Sequence, residues 1–335
     1  MHNRIPDGLL FDPLSLGRRG PGQRDRLSPA QIQQIARTVA RTPEVMVKVL
    51  SAGASSAAAV KRHLAYVGRQ GDVALLTDDG QPLEGREATA DLVENWDLDL
   101  AESQSGLGGM RGRSAPKLVH KVVFSMVAGT PPDKVLAAVQ GFCREEFALK
   151  HRFLMALHTD EPHPHVHVVI KAVSEQGERL NIRKATLRAW REGFAQQLRQ
   201  VGVKANATQR FVRGETRPRQ PDPIYRAAER GESTHMRNQL QAAMAARRDP
   251  EQLPDPARRQ LQQTRRSLEH QWATTIQALE SAGQTALAGE ARRFVDRLPA
   301  ARTEAEWLVA DRQTNRDTAA REILARKPRQ QDLVR

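Results

Sequence analysis

Residues 157–171 read LHTDEPHPHVHVVIK, and four of the ten histidines in the chain fall within them: His158, His163, His165 and His167, with Asp160 in between. Imidazole is the commonest side chain to ligate metal at neutral pH. His165-Val166-His167 runs into Val168, Val169 and Ile170, which predicts a β-strand. Strand side chains alternate, so His165 and His167 share one face while Val166, Val168 and Ile170 share the other. The preceding run, Phe153 to Leu157, reads as a second strand ending at His158. Thr159–Pro164, with an Asp and two prolines, has turn chemistry. Folding the two strands antiparallel about that turn sets His158 across from the His165/His167 pair. Three imidazoles then converge on one side of a hairpin, leaving metal positions open to water or substrate.

Outward from the hairpin, strands and helices alternate. Val45–Leu50 is a predicted strand and Ala57–Val67 a helix closed by Gly68. Asp72–Leu83 turns at Asp78-Asp79-Gly80 as a short hairpin, and Asp91–Leu100 is helical. A Gly/Ser loop follows over residues 103–116. Leu118–Val127 is a strand, Asp133–Lys150 a helix and Leu187–Val201 another. With at least one adjacent pair forming a hairpin, the fold class is α+β: a largely antiparallel central sheet with helices packed on one face. From about Pro221, Gln, Ala, Arg and Glu recur at helical spacing without a repeat. Three regions follow: a basic flexible arm over 1–42 with one short helix between Ser28 and Arg41, a nuclease-sized domain over 43–221, and a helical region over 222–335.

The chain carries a net charge of +13 over its 335 residues, with a pI near 10.6. That balance favours an anionic partner. No apolar run approaches the ~20 residues of a spanning helix, the N-terminus lacks a signal-peptide core, and Arg18-Arg19 runs into Gly-Pro-Gly rather than an export signal. No membrane insertion and a cytoplasmic location are the expectation. The single cysteine, Cys143, excludes an intramolecular disulfide and a thiolate zinc cluster. Basic charge concentrates over residues 184–221, where nine Lys/Arg face only Glu192 and Glu215. Such residues neutralise phosphates without reading sequence. Trp190 reads as a core residue of its helix.

Three imidazoles alone do not define a reaction; such a site could hydrolyse esters, hold structural zinc or position a phosphate. Of the two tyrosines, Tyr66 ends a predicted helix beside Lys61, Arg62 and Arg69. Nearby positive charge favours a phenolate, as a nucleophile toward phosphorus requires. The ring could equally anchor the helix end.

Leu64–Gly71 (LAYVGRQG), Val122–Val135 (VVFSMVAGTPPDKV) and His158–Ala172 (HTDEPHPHVHVVIKA) together resemble three motifs of conjugative relaxases, single-strand DNA nickases of the HUH (His-hydrophobic-His) endonuclease superfamily. The similar branch is that of the T-DNA border endonuclease. The third motif is specific, the tyrosine motif less so, and the Ser125/Gly129/Thr130 loop is weak alone. The resemblance implies Tyr66 as nucleophile and His158, His165 and His167 as ligands of a divalent ion. It implies Asp160 as an acidic group that orients a histidine or helps deprotonate Tyr66. His163 stays open as fourth ligand, proton carrier or hydrogen-bonding neighbour. Mn²⁺ suits imidazole better than Mg²⁺, although phosphate oxygens could recruit Mg²⁺. The implied reaction is transesterification through a 5′-phosphotyrosine, starting plasmid mobilization at an origin of transfer. Candidate contacts to single-stranded DNA are Arg62, Arg69, Arg111, Arg113, Lys184, Arg188, Arg210 and Arg213. Implied partners are origin-of-transfer DNA, relaxosome accessory proteins and a type IV secretion coupling protein. A rolling-circle replication initiator and a non-catalytic DNA-binding accessory protein with a structural metal are the alternatives.

Overall fold

A computed structural model of the chain describes residues 27–50, 55–83, 88–98, 116–215, 232–248 and 256–303, with positions 101, 227, 230, 306, 307, 309 and 310. Among these, Ser28–Thr208 form one compact unit and the residues from Gln209 a second. The division falls ahead of the composition change near Pro221.

The first unit is built on a six-stranded sheet in which every pairing is antiparallel. Its strands are β1 (Met46–Leu50), β2 (Leu75–Thr77), β3 (Pro82–Leu83), β4 (Val119–Ser125), β5 (Phe153–His158) and β6 (His165–Lys171), in the order β1-β4-β6-β5-β2-β3. The β5–β6 hairpin forms in the foreseen register, with His158 opposite His165 and Ala156 opposite His167. Because the pairing carries on into β4 and β1, side chains of one face line up in rows. Met46, Ser125, His165 and His158 make one row; Lys48, Val123, His167 and Ala156 the next; Leu50, Lys121, Val169 and Leu154 the third.

The opposite face is apolar. Val47, Val122, Phe124, Phe153, Met155, Val166, Val168 and Ile170 pack there against helices Pro132–Phe147 and Lys184–Gln200, through Val139, Phe142, Phe147, Trp190, Phe194 and Leu198. Trp190 is buried here as expected, its indole N–H donating to Glu146. The row face is covered too. Val119, Leu154, Ala156 and Val169 pack against helices Ala57–Val67 and Ala88–Asn95. The expectation of helices on one face only is therefore corrected. The central strands are apolar at both parities, and strands of that kind need cover on both sides.

Helix Ala57–Val67 begins where the Ser56 hydroxyl accepts from the Ala59 amide, and buries Ala57, Val60, Leu64 and Val67 at three- and four-residue spacing. The helix foreseen between Ser28 and Arg41 is present as Pro29–Val39, with Ser28 and Gln31 forming a capping box. It is docked within the first unit. Ile35 is fully buried, and Thr38 and Glu44 converge on the buried side chain of Asn206. These residues are therefore grouped with the sheet and not with the arm.

The second unit contains helices Thr234–Arg248, Pro256–Ser281 and Thr285–Asp296. The last two pack through Trp272, Leu279, Ala288 and Phe294, and the indole N–H of Trp272 donates to the Val212 carbonyl at 3.0 Å.

Candidate metal and tyrosine site

At one end of the sheet the first two rows run out from under helix Ala57–Val67, and three histidines meet there. One nitrogen from each of His158, His165 and His167 lies within 4.8 Å of the others. Their ring centres are 4.6 Å (His158–His167), 5.2 Å (His158–His165) and 5.3 Å (His165–His167) apart. Backbone carbonyls hold two of the rings. His158 Nε2 donates to Val67 O at 2.7 Å, and His165 Nδ1 donates to His163 O at 3.1 Å. Those bonds fix the tautomers: Nε2 of His165 keeps its lone pair, and Nδ1 of His158 is an acceptor approached at 3.3 Å by a guanidinium nitrogen of Arg69. Burial, then the neighbouring His158, His165, His63 and Arg69, pushes the His167 pKa down to about 3. Burial also lowers that of His158. Both rings are thus neutral at pH 7, as ligation requires. Three imidazoles gathered on one hairpin fit a divalent ion and leave its remaining positions open. His163 presents an exposed ring and contributes its carbonyl.

Tyr66 stands at the C-terminal end of helix Ala57–Val67, 53% exposed. Its ring meets that of His167 edge-on with centres 6.4 Å apart. The next residue, Val67, supplies the carbonyl that holds His158, so the tyrosine segment and the histidine hairpin are tied by backbone. Beyond the Gly68 cap the chain turns with positive φ at Arg69 (49°), Gln70 (60°) and Gly71 (102°). The left-handed region is costly for the two non-glycine residues. The turn sends Arg69 back over the site. Its guanidinium carbon lies 5.2 Å from the Tyr66 ring centre, one nitrogen stands 3.3 Å from His158 Nδ1, and the same nitrogen pairs with Asp160. Asp160 therefore reaches Arg69 rather than a histidine.

The other expected DNA contacts divide. Arg62 is exposed on the outer side of the tyrosine helix. Lys184 and Arg188 lie on helix Lys184–Gln200, which covers the opposite face of the sheet, so the structure does not bring them to the histidines. Their place was set by the Trp190, Phe194 and Leu198 stripe, which a count of charges does not register. Arg210 and Arg213 belong to the second unit, where both pair with Glu215. Arg111 and Arg113 lie outside the described residues.

One site residue escaped the sequence reading. His63, three residues before Tyr66, stacks beside it with ring centres 6.2 Å apart, and its ring centre is 6.4 Å from that of His167. Its Nε2 is buried without a hydrogen-bond partner among the described residues. Burial, with Lys121 nearby, holds its pKa down to about 4. The i, i+3 spacing to Tyr66 was the available signal.

An antiparallel sheet that gathers a His-x-His pair and a third histidine beside a helix-borne tyrosine has the layout of the HUH nucleases. Residues 89–203 match the family described as Relaxase: MobA/VirD2-like, nuclease domain. Over those residues the chain is similar to a relaxase nuclease domain. The match spans about a third of the chain, includes all three histidines and begins after Tyr66. No curated protein matches the chain. Among the described residues no helix is long and apolar enough to cross a membrane.

Proposed function

We propose that the protein cuts one strand of DNA at an origin of transfer by transesterification, with Tyr66 as nucleophile, to start plasmid mobilization. The observation that carries this reading is the exposed Tyr66 ring set 6.4 Å from His167 at the mouth of the triad. His158, His165 and His167 would hold the ion, Mn²⁺ or Mg²⁺, whose positive charge polarises a non-bridging oxygen of the scissile phosphate. The Tyr66 oxygen attacks phosphorus. A Tyr–O–P bond forms as the P–O3′ bond breaks, and the phenolic proton is lost while the departing 3′ oxygen gains one. The 5′ end stays on the protein and the 3′ end is a free hydroxyl. One ester replaces another, so rejoining the strand needs no ATP.

Arg69 sits over the ring where negative charge gathers on the attacking oxygen and the phosphate. Asp160 is a positioning residue that aims Arg69. Domain limits follow this division: the nuclease is the sheet unit, and the helical region serves other contacts. On this reading the protein works in the cytoplasm with relaxosome accessory proteins and is handed to a type IV secretion coupling protein.

The test uses the full chain, Mn²⁺ and single-stranded oligonucleotides tiled across the DNA flanking its gene, labelled at either end. A 3′ label should travel with the protein through a denaturing gel, and a 5′ label should appear on a shorter free strand. Tyr66→Phe should abolish the adduct without changing the fold. An adduct that survives in Tyr66→Phe, or a 5′ label on the protein, sinks the assignment.

A further inference from the structure

The sides of the triad are unequal. On the β5 side the site is closed: the Val67 carbonyl and Arg69 stand on His158, and helices Ala57–Val67 and Ala88–Asn95 cover Leu154, Ala156 and Val169, reaching β4 only at Val119, at the end of the strand away from the triad. On the β1 side the sheet register places Lys48 in the same row as His167, with only Val123 between them. Lys48 is exposed, and its neighbours Val47 and Val49 turn into the core on the other face, so its side chain belongs to the face of the triad. Two interstrand spacings separate its backbone from that of His167, roughly 10 Å. In the adjoining row, on the same face, lies Lys121, only 7% exposed. No Asp or Glu occurs in β1, β4, β5, β6 or helix Ala57–Val67. The nearby Asp160 is paired with Arg69.

Resting on the reading of Tyr66 and the triad as a nicking site, we infer that the bound single strand leaves the scissile phosphate across β4 and over the β1 edge. A neighbouring phosphate pairs with Lys48, and Lys121 adds positive charge beneath the path. Lysine here is a point charge that accepts any base sequence, so the contact fixes the strand's path and not its identity. An exposed lysine on an edge strand also discourages edge-to-edge aggregation. The two roles differ in salt dependence, because only phosphate neutralisation releases counterions from the nucleic acid.

Binding is measured in the full chain carrying Tyr66→Phe, so that no strand is cut, using the oligonucleotide that the unaltered protein attaches to. Lys48→Gln should weaken binding several-fold and make the slope of log K against log[salt] shallower by about 0.7, the single-strand value for one phosphate. Lys150→Gln, exposed just beyond the helix Pro132–Phe147 of the opposite face, should leave the slope alone. Replacing single phosphates beside the scissile one with neutral methylphosphonate should find one position whose loss equals that of Lys48→Gln and does not add to it. An unchanged slope, or losses that add at every position, overturns the inference. If the unaltered protein forms no adduct, the nicking assignment has failed first. An adduct with an unchanged slope removes the strand path alone.

Discussion

The same four strands, β1, β4, β5 and β6, present two faces with different contents. One meets Phe142, Phe147, Trp190 and Phe194 with valines, isoleucine and phenylalanine, and its aromatic rings lie 5.1 to 6.3 Å apart, centre to centre. The other is apolar only under its helices, and then gives way to His158, His165, His167, Lys121 and Lys48. Burial on the first face supplies stability through dispersion and the hydrophobic effect. The second face holds the imidazoles and lysines, with His158, His167 and Lys121 buried and Lys48 exposed, where the proposed nicking chemistry would act. Both faces thus hold apolar cover, and only the second leaves a margin of imidazole and lysine at the end of its rows.

That division predicts opposite outcomes for two truncations, and these are the largest effects expected. Phe194→Ala should cost about 3–5 kcal/mol, as deletion of a fully buried ring does, and the folded fraction should still form the covalent adduct. His167→Ala should change the urea midpoint of the metal-free protein little, yet lower adduct formation by at least about a hundredfold. Even outer-shell partners of metal ligands are worth ten to a hundredfold. Urea titration alongside Mn²⁺-dependent adduct formation reads both. Similar unfolding by the two variants would show that the faces are not separable.

The hairpin was legible because two short apolar runs flank a turn and the histidines fall at even spacing within it. The tyrosine helix was legible from Ala57, Val60, Leu64 and Val67, which also end it at Gly68. His63 was not. It sits on the flank of that stripe, and its meaning depends on the packing of the helix over β4 and β6, a long-range contact without local signature. That Lys184 and Arg188 lie away from the histidines was not legible for the related reason that charge density along the chain carries no information about which layer a helix joins. Arg69 was read as a positive charge flanking the Tyr66 phenol and as a candidate DNA contact. Its place over Tyr66 and His158 depends on the positive φ angles that follow Gly68.

A middle-sized effect is expected at His63. Its ring packs beside both Tyr66 and His167, with centres 6.2 and 6.4 Å away, so His63→Ala should lower the rate of adduct formation about tenfold while leaving the KM for DNA near its original value. An ångström of misplacement can cost about a hundredfold, and here the ring only braces Tyr66. His63→Phe keeps the brace and removes the nitrogens. Recovery of most of the rate in His63→Phe assigns the role to ring packing. Equal loss in both variants would move it to the imidazole nitrogens, and no loss in either would remove His63 from the site.

The smallest effect is a pH dependence that again distinguishes the faces. His167 (about 3) and His63 (about 4) lie on the site face, and His120 (about 4), bonded to the Leu180 carbonyl, on the packed face. Burial is the first cause in each case. An unfolded histidine titrates near 6.5, so between that pH and the folded values the unfolded chain binds more protons. Stability is then fully present above roughly pH 6.5 and declines as the pH falls toward 4 and 3. Melting of the metal-free protein from pH 7 to 4 should show this decline. His120→Phe should flatten part of it and leave adduct formation at pH 7 intact. His167→Phe should flatten part of it and abolish adduct formation. A curve as steep in both variants as in the unaltered protein would mean that these imidazoles take up protons without opening the fold, and that their burial is shallower than the packing implies.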